Sequence, residues 1–274
     1  MTSPADEALA RAAVAALTGQ LTLVPKPGLP DPRDLDARTA HRDHRALCWS
    51  AKALAPGLAA MAAAARRTGE PTPGLRAELG SIGRCAEHRV GLAGGGHRGA
   101  LWTLGLLVAG AALDPREATA VAKRIAAHPD RGAPRRPSRG SSVSAKYGAA
   151  GARGEARAGF PHVRRALHAL TAARAAGAPE PRCRLDALLT VMSTLQDTEL
   201  LYTAGPVGLR QVQAGARGVL EAGGTATAAG TAALAALDAD LHAHAWSPRG
   251  SAGLLAGALF VDALRTPAVA TRHR

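Results

Sequence analysis

Aromatic side chains make up only 3% of the 274 residues, and the chain holds three cysteines and two phenylalanines. With so few aromatics and few Val/Ile runs, an all-β fold is nearly excluded, because pleated, half-buried surfaces are built from those residues. The cysteines, Cys48, Cys85 and Cys183, are odd in number and far apart. They show neither the even count of a disulfide framework nor the paired spacing of a zinc site, and are expected as core thiols. A long apolar run is also missing. The longest charge-free apolar stretch, Gly99 to Leu113, makes about 22 Å of helix, short of the roughly 30 Å hydrocarbon thickness, so it is expected as a buried helix and no membrane partner is expected. Met1 to Asp6 carries one acid, Asp6, and no basic segment before an apolar one. No secretory signal is visible there, and the cytoplasm is the expected compartment.

What the chain does have is 47% hydrophobic residues, enough for a sizeable core, dominated by Ala, Leu and Arg. These side chains lose little rotamer freedom in a helix. The formal charge is +13, and Arg greatly outnumbers Lys. Arginine forks favour anionic ligands. Nucleic acid is one such ligand, but the densest basic run, Arg131, Arg135, Arg136 and Arg139, has no interleaved aromatic for base stacking and reads as a solvated loop.

Apolar spacing of three to four residues predicts about ten helices in one all-α bundle covering residues 1–274: Asp6–Leu17, Thr39–Arg67, Leu75–Leu92, His97–Leu113, a helix capped by Asp114 with Pro115 at its first position and ending near Ala127, then Pro161–Ala176, Leu185–Leu195, Val207–Glu221, Thr231–His244 and Pro248–Leu264. No fixed-period repeat and no dividing linker is visible. Residues 129–142 are the expected mobile loop.

Six segments combine Gly, Pro and charge where a bundle places its loops. Pro25-Lys26-Pro27 fixes the backbone around one of few lysines, suited either to a phosphate or to open water. His41-Arg42-Asp43-His44 puts a carboxylate in early helical turns, where it could hold Mg²⁺. Glu87, then Gly94-Gly95-Gly96 and His97-Arg98-Gly99, opens an apolar helix whose N-terminal N–H groups could meet an anion. Tyr147 to Pro161 crowds glycines around Arg153, Glu155 and Arg157, fitting an active-site wall or a tight helix crossing. Asp197-Thr198-Glu199 closes an apolar helix, where a carboxylate is costly unless paired or metal-bound. Ser247-Pro248 reads as an N-cap followed by the first helical residue, ahead of Arg249 and Ser251.

Taken in order, these segments resemble the triphosphoribosyl-dephospho-CoA synthase family, above all its malonate decarboxylase branch. The resemblance spans residues 21–262, and its strongest part is the Gly-Ala-Arg-Gly-Glu-Ala-Arg-Ala-Gly-Phe-Pro run. It implies an enzyme that moves the triphosphoribosyl group of ATP to the 2′-hydroxyl of 3′-dephospho-CoA and releases adenine. The product would be the prosthetic-group precursor for the acyl carrier protein of malonate decarboxylase or citrate lyase, handed on by a further transferase. It also implies Mg²⁺ on the triphosphate, Glu155 or Asp197 as general base, Asp43 and Glu87 at the metal, and Lys26, His41, His97, Arg98, Arg153 and Ser251 at the substrates.

Three loops differ from the family pattern. Gly94-Gly95-Gly96-His97 stands for Gly-Gly-Val-Asn-Thr-His, Thr203-Ala204-Gly205 for an Arg-Gly-Gly stretch, and Ser247-Pro248-Arg249-Gly250-Ser251-Ala252-Gly253 for Ser-Pro-Gly-Gly-Ser-Ala-Asp. A relative acting on another nucleotide, or binding one without catalysis, and a basic helical nucleic-acid binder are the alternatives that the residues leave open.

Overall fold

A computed structural model describes residues 1–33, 38–92, 96–134 and 138–265. Every regular element among them is helical. The fourteen helices are α1 (Pro4–Leu21), α2 (Arg38–Ala53), α3 (Ala55–Thr68), α4 (Pro73–Leu92), α5 (Arg98–Leu113), α6 (Ala118–Ala127), α7 (Arg139–Tyr147), α8 (Gly151–Arg157), α9 (Pro161–Ala175), α10 (Glu180–Met192), α11 (Thr198–Thr203), α12 (Gly205–Glu221), α13 (Ala228–Ala243) and α14 (Arg249–Arg265).

Four helices form the centre. α1 packs on α3 and α14, and α5 packs on the same two. α5 and α14 are apolar nearly all round and are buried on nearly every side, as that pattern requires. The remaining helices add to this centre: α4 on α3, α6 and α8 on α5, α9 and α10 on α14, α12 and α13 beyond α10. One hydrophobic cluster runs through α1, α3, α5, α9, α10 and α14. Gly110 permits the crossing of α5 and α6, since a Cβ there would collide with the Ala118 carbonyl.

The all-α expectation holds, with more and shorter helices than about ten. Thr39–Arg67 is two helices, because Pro56 sits in the first turn of α3 and has no N–H to continue the ladder from α2. The stretch His44–Thr68 is long and apolar enough in composition to span a bilayer, but it is interrupted at Leu54, and Ala51, Leu54, Leu58 and Ala62 are enclosed in the core. Within the expected loop 129–142, Ser138 and Ser141 form a reciprocal cap that starts α7 at Arg139. Asp114 bonds the N–H groups of Arg116 and Glu117 as a turn, so α6 begins later, at Ala118. Of the three expected core thiols, Cys183 is buried as expected, whereas Cys48 is half-buried and Cys85 is exposed.

Candidate functional site

A cavity of about 540 Å³ opens where the last turns of α4 meet the start of α5, with Leu54 at its back and Pro134 at its rim. Arg84, Glu87 and His88 come from α4, and His97, Arg98 and Leu101 from α5 and the residue before it. The first N–H groups of α5 lack intrahelical partners by construction and lie at this wall, where they favour negative charge.

His97 is 7% exposed, and its Nε2 lies 2.8 Å from the Leu47 carbonyl oxygen. A carbonyl only accepts, so Nε2 carries the proton and Nδ1 keeps its lone pair. Burial pushes the His97 imidazole below its ordinary value, and the charges of Lys26 and Arg249 act in the same direction. The ring is therefore neutral near pH 7. Arg98, half in solvent, pairs with Glu87 at 3.0 Å. The two residues expected to serve separately, one for phosphate and one for metal, are thus partners in the free protein.

Asp197 and Ser251 come together behind this wall. Asp197 Oδ2 accepts from Ser251 N at 2.9 Å and Ser251 Oγ at 3.2 Å, while Oδ1 accepts from Glu199 N at 3.0 Å. One carboxylate therefore caps the N-termini of α11 and α14 at once. Burial pushes its pKa up and these hydrogen bonds oppose the rise. Both residues are only 1% exposed. Gly250 is needed here because a Cβ would lie 2.9 Å from the Asp197 oxygens, and Gly253 brings α14 against the Ala100 backbone of α5. Asp197 and Ser251 thus fix two helix starts and do not line the cavity. The Ser247 hydroxyl, expected as the cap of α14, is buried without a partner, and the helix begins at Arg249.

Glu155, 6% exposed, is likewise engaged away from the cavity wall. Its Oε1 accepts from the His162 backbone N–H at 2.8 Å, and its Oε2 accepts from His162 Nδ1 at 2.8 Å, which ties α8 to the start of α9. Between them Phe160 is buried with φ 56°, a left-handed conformation that a bulky residue adopts only when its surroundings impose it. His162 was not singled out in the sequence. The signal available was its place directly after Pro161 at a helix start, seven residues beyond a glutamate.

Lys26, expected to hold phosphate, makes different contacts. It is 1% exposed, and its Nζ lies 3.3 Å from the Gln20 carbonyl and 3.5 Å from that of Leu21, at the C-terminal end of α1. A cation is favoured there by the free carbonyls. Burial nevertheless lowers its pKa from 10.5 to about 8. Asp31 accepts from Lys26 N, and Arg33 bridges Asp31 to Asp238 on α13, which pins the proline-rich segment. Lys26 therefore reaches the cavity only through its field on His97.

Arg153 is exposed on α8. The side chains of His41 and Asp43 lie outside the described residues. Among the described residues no three His, Cys, Asp or Glu side chains converge on a point that could hold a metal ion.

The site belongs to a chain with many relatives. No solved structure matches it. A protein of Stutzerimonas stutzeri named "Probable 2-(5''-triphosphoribosyl)-3'-dephosphocoenzyme-A synthase" is 47% identical, over 96% of this chain and 93% of its own length. Similar proteins with the same name occur in Pseudomonas aeruginosa, 48% identical over 96% of this chain and 92% of theirs, and in Azotobacter vinelandii, 45% identical over 94% and 91%. A family model for CitG, described as ATP:dephospho-CoA triphosphoribosyl transferase, matches residues 6–272. With nearly the whole length matched by that model and by relatives of this identity, the chain belongs to the ATP:dephospho-CoA triphosphoribosyl transferase family.

Proposed function

We propose that this chain transfers the triphosphoribosyl group of ATP to the 2′-hydroxyl of 3′-dephospho-CoA and releases adenine. The observation that carries this reading is the cavity at the start of α5, walled by Arg84, His97 and Arg98, in a chain whose relatives bear the name of that reaction. In the transfer, the 2′-oxygen forms a bond to the anomeric carbon of the ATP ribose while the bond from that carbon to adenine breaks. Adenine leaves with the electron pair and takes up a proton, and the hydroxyl proton passes to a base.

His97 is the base in this reading. It lines the cavity, its tautomer is set by the Leu47 carbonyl, and the low pKa that burial gives it leaves Nδ1 ready to accept a proton. Arg84 and Arg98 supply forked donors for phosphate oxygens. The displacement has oxocarbenium character, and a carboxylate near the ribose stabilises it. Glu87 is the carboxylate that the described cavity wall offers. Asp197 and Glu155 are positioning residues in this reading: Asp197 caps α14, which packs on the first turn of α5 at Ala100, and Glu155 ties α8 to the start of α9.

A bound Mg²⁺ would supply positive charge to the triphosphate in this reading. Such an ion keeps several waters and takes one or two carboxylates besides phosphate oxygens, so a full protein cage is not required. Glu87, now paired with Arg98, and Asp43 are the carboxylates that would hold such an ion. The product passes to a transferase that loads the acyl carrier protein of malonate decarboxylase or citrate lyase. A reaction fed by ATP and dephospho-CoA belongs in the cytoplasm.

The test is adenine release, read by chromatography and mass spectrometry, from purified protein with Mg²⁺, ATP and 3′-dephospho-CoA and with each omitted in turn. Adenine together with a triphosphoribosylated dephospho-CoA, seen only in the complete mixture, is the expected result. Folded protein that yields no adenine overturns the reading and favours a relative that binds nucleotide without this reaction.

A further inference from the structure

α2 reaches the cavity through one backbone carbonyl. The Leu47 oxygen accepts from His97 Nε2 at 2.8 Å, and the hydroxyl of Ser50 donates to the same oxygen at 3.1 Å. Ser50 is 0% exposed, and among the described residues its hydroxyl has no other partner. A buried hydroxyl needs an acceptor, and on a helix the carbonyl one turn back is within its reach. The bond that Ser50 makes is therefore local. The oxygen it takes is the one that sets the tautomer of His97.

Two donors on one oxygen do not act independently. Each draws electron density toward itself, so the Ser50 hydroxyl lowers what the carbonyl offers to the imidazole N–H. The loss is larger for the imidazolium than for the neutral ring, because a bond from a charged donor is the stronger one. The charged and titratable groups that face His97 are Lys26 ahead of α2, Arg84, Glu87 and His88 on α4, Arg98 on α5 and Arg249 on α14. On α2 itself, the Cys48 Sγ lies 3.8 Å from His44 Nε2, which donates to the Leu21 carbonyl. Ser50 is bonded to none of these groups, so a change at position 50 reaches His97 through the Leu47 oxygen.

We infer that Ser50 is a positioning residue for the base: by sharing the Leu47 carbonyl with His97, it weakens the hold of that carbonyl on the ring and favours the neutral imidazole with Nδ1 open to a proton. The role rests on the reaction proposed above, in which His97 is the base. The effect on the ring is a property of the folded protein and is read without turnover.

The test is titration of the His97 ring by NMR in the full chain, with its resonance identified by its loss in His97→Gln. Ser50→Ala frees the Leu47 oxygen and leaves no buried donor unpaired, so the fold survives it. The midpoint should rise by about half a pH unit, as loss of one neutral hydrogen bond to a shared oxygen implies. Ser50→Thr keeps the hydroxyl and should restore the wild-type midpoint. Ser193→Ala removes a buried hydroxyl of the same kind, bonded back to the Thr190 carbonyl at 2.8 Å at the end of α10, and should leave the midpoint unchanged. Should the threonine not be accommodated, Ser50→Cys, with a weaker donor of similar size, should give a smaller rise than Ser50→Ala. In Ser50→Ala the acid limb of kcat/KM for adenine release should move up with the midpoint, with KM at pH 8 within about twofold of wild type. An unmoved or lowered midpoint, an equal rise in Ser193→Ala, a cysteine variant that rises as far as the alanine one, or a limb that stays while the midpoint moves overturns the role. A midpoint that moves as stated in a protein that releases no adenine fails the reaction and not the effect of Ser50 on His97.

Discussion

Asp197 and Ser251, 54 positions apart, are joined twice: Asp197 Oδ2 accepts from both the backbone N–H and the hydroxyl of Ser251. The same carboxylate accepts from Glu199 N, so two helix N-termini share one buried negative charge.

This sharing predicts unequal losses. Asp197→Ala should lower the unfolding free energy by about 3 kcal/mol, because it leaves the buried N–H donors of two helices unpaired. Ser251→Ala removes only the hydroxyl and should cost about 1 kcal/mol. Urea denaturation of both variants and of the double variant measures this. The double should fall short of the sum, because Asp197→Ala has already removed the hydroxyl's partner.

Lys26 predicts a pH dependence. Its pKa is about 8 in the folded protein against 10.5 as the ordinary value, so between these limits the unfolded chain binds more protons. Stability therefore rises with pH across that window, and the burden of burying the charge is present in full below about pH 8. In Lys26→Met this contribution disappears. Melting of the two proteins from pH 7 to pH 10 should show the wild type gaining on the variant as pH rises, and parallel curves would contradict the burial argument.

His97 predicts where activity fails in acid. Its pKa lies below 6.5, so the neutral ring persists at neutral pH and the acid limb of kcat/KM for adenine release should fall below that value. His97→Gln should reduce kcat by about a hundredfold or more while leaving folding intact. A limb above pH 6.5, or a variant of undiminished kcat, removes His97 from the role of base.

Glycine replacements predict opposite signs in one fold. Gly110→Ala forces a Cβ into the Ala118 carbonyl and should destabilise the α5–α6 crossing by about 1–3 kcal/mol. Gly218→Ala, within α12 and with nothing within 4 Å of the added methyl, should stabilise by about 0.5–1 kcal/mol. Thermal melts of the two variants decide this.

Much of the fold was legible in the chain. The helical spacing of residues such as Leu101, Leu104 and Leu107, and the stops at Gly and Pro, follow from local geometry that each segment carries within itself. The errors were local competitions. Asp114 could cap a helix or close a turn and does the latter, and Pro56 divides a continuous apolar pattern. The candidate site was legible as a set of segments and not as an arrangement. Glu87, His97 and Arg98 do meet at the cavity, whereas Lys26, Glu155 and Asp197 turn toward helix ends, and His162 and Ser50 drew no notice in sequence.

The sequence by itself determined an all-helical chain, a basic one, and membership of a family whose motifs lie in order along it. Backbone propensity, charge and short motifs are properties of neighbours in the chain. Only the tertiary structure decided which charges are paired, because the partner of a buried group is set by helices that cross. Asp197 finds Ser251 across 54 residues, Arg84 finds Asp130 across 46, and Lys26 meets the end of α1 rather than open solvent. A buried polar group takes the donor or acceptor that packing brings within 3 Å or so, and that choice is made in three dimensions.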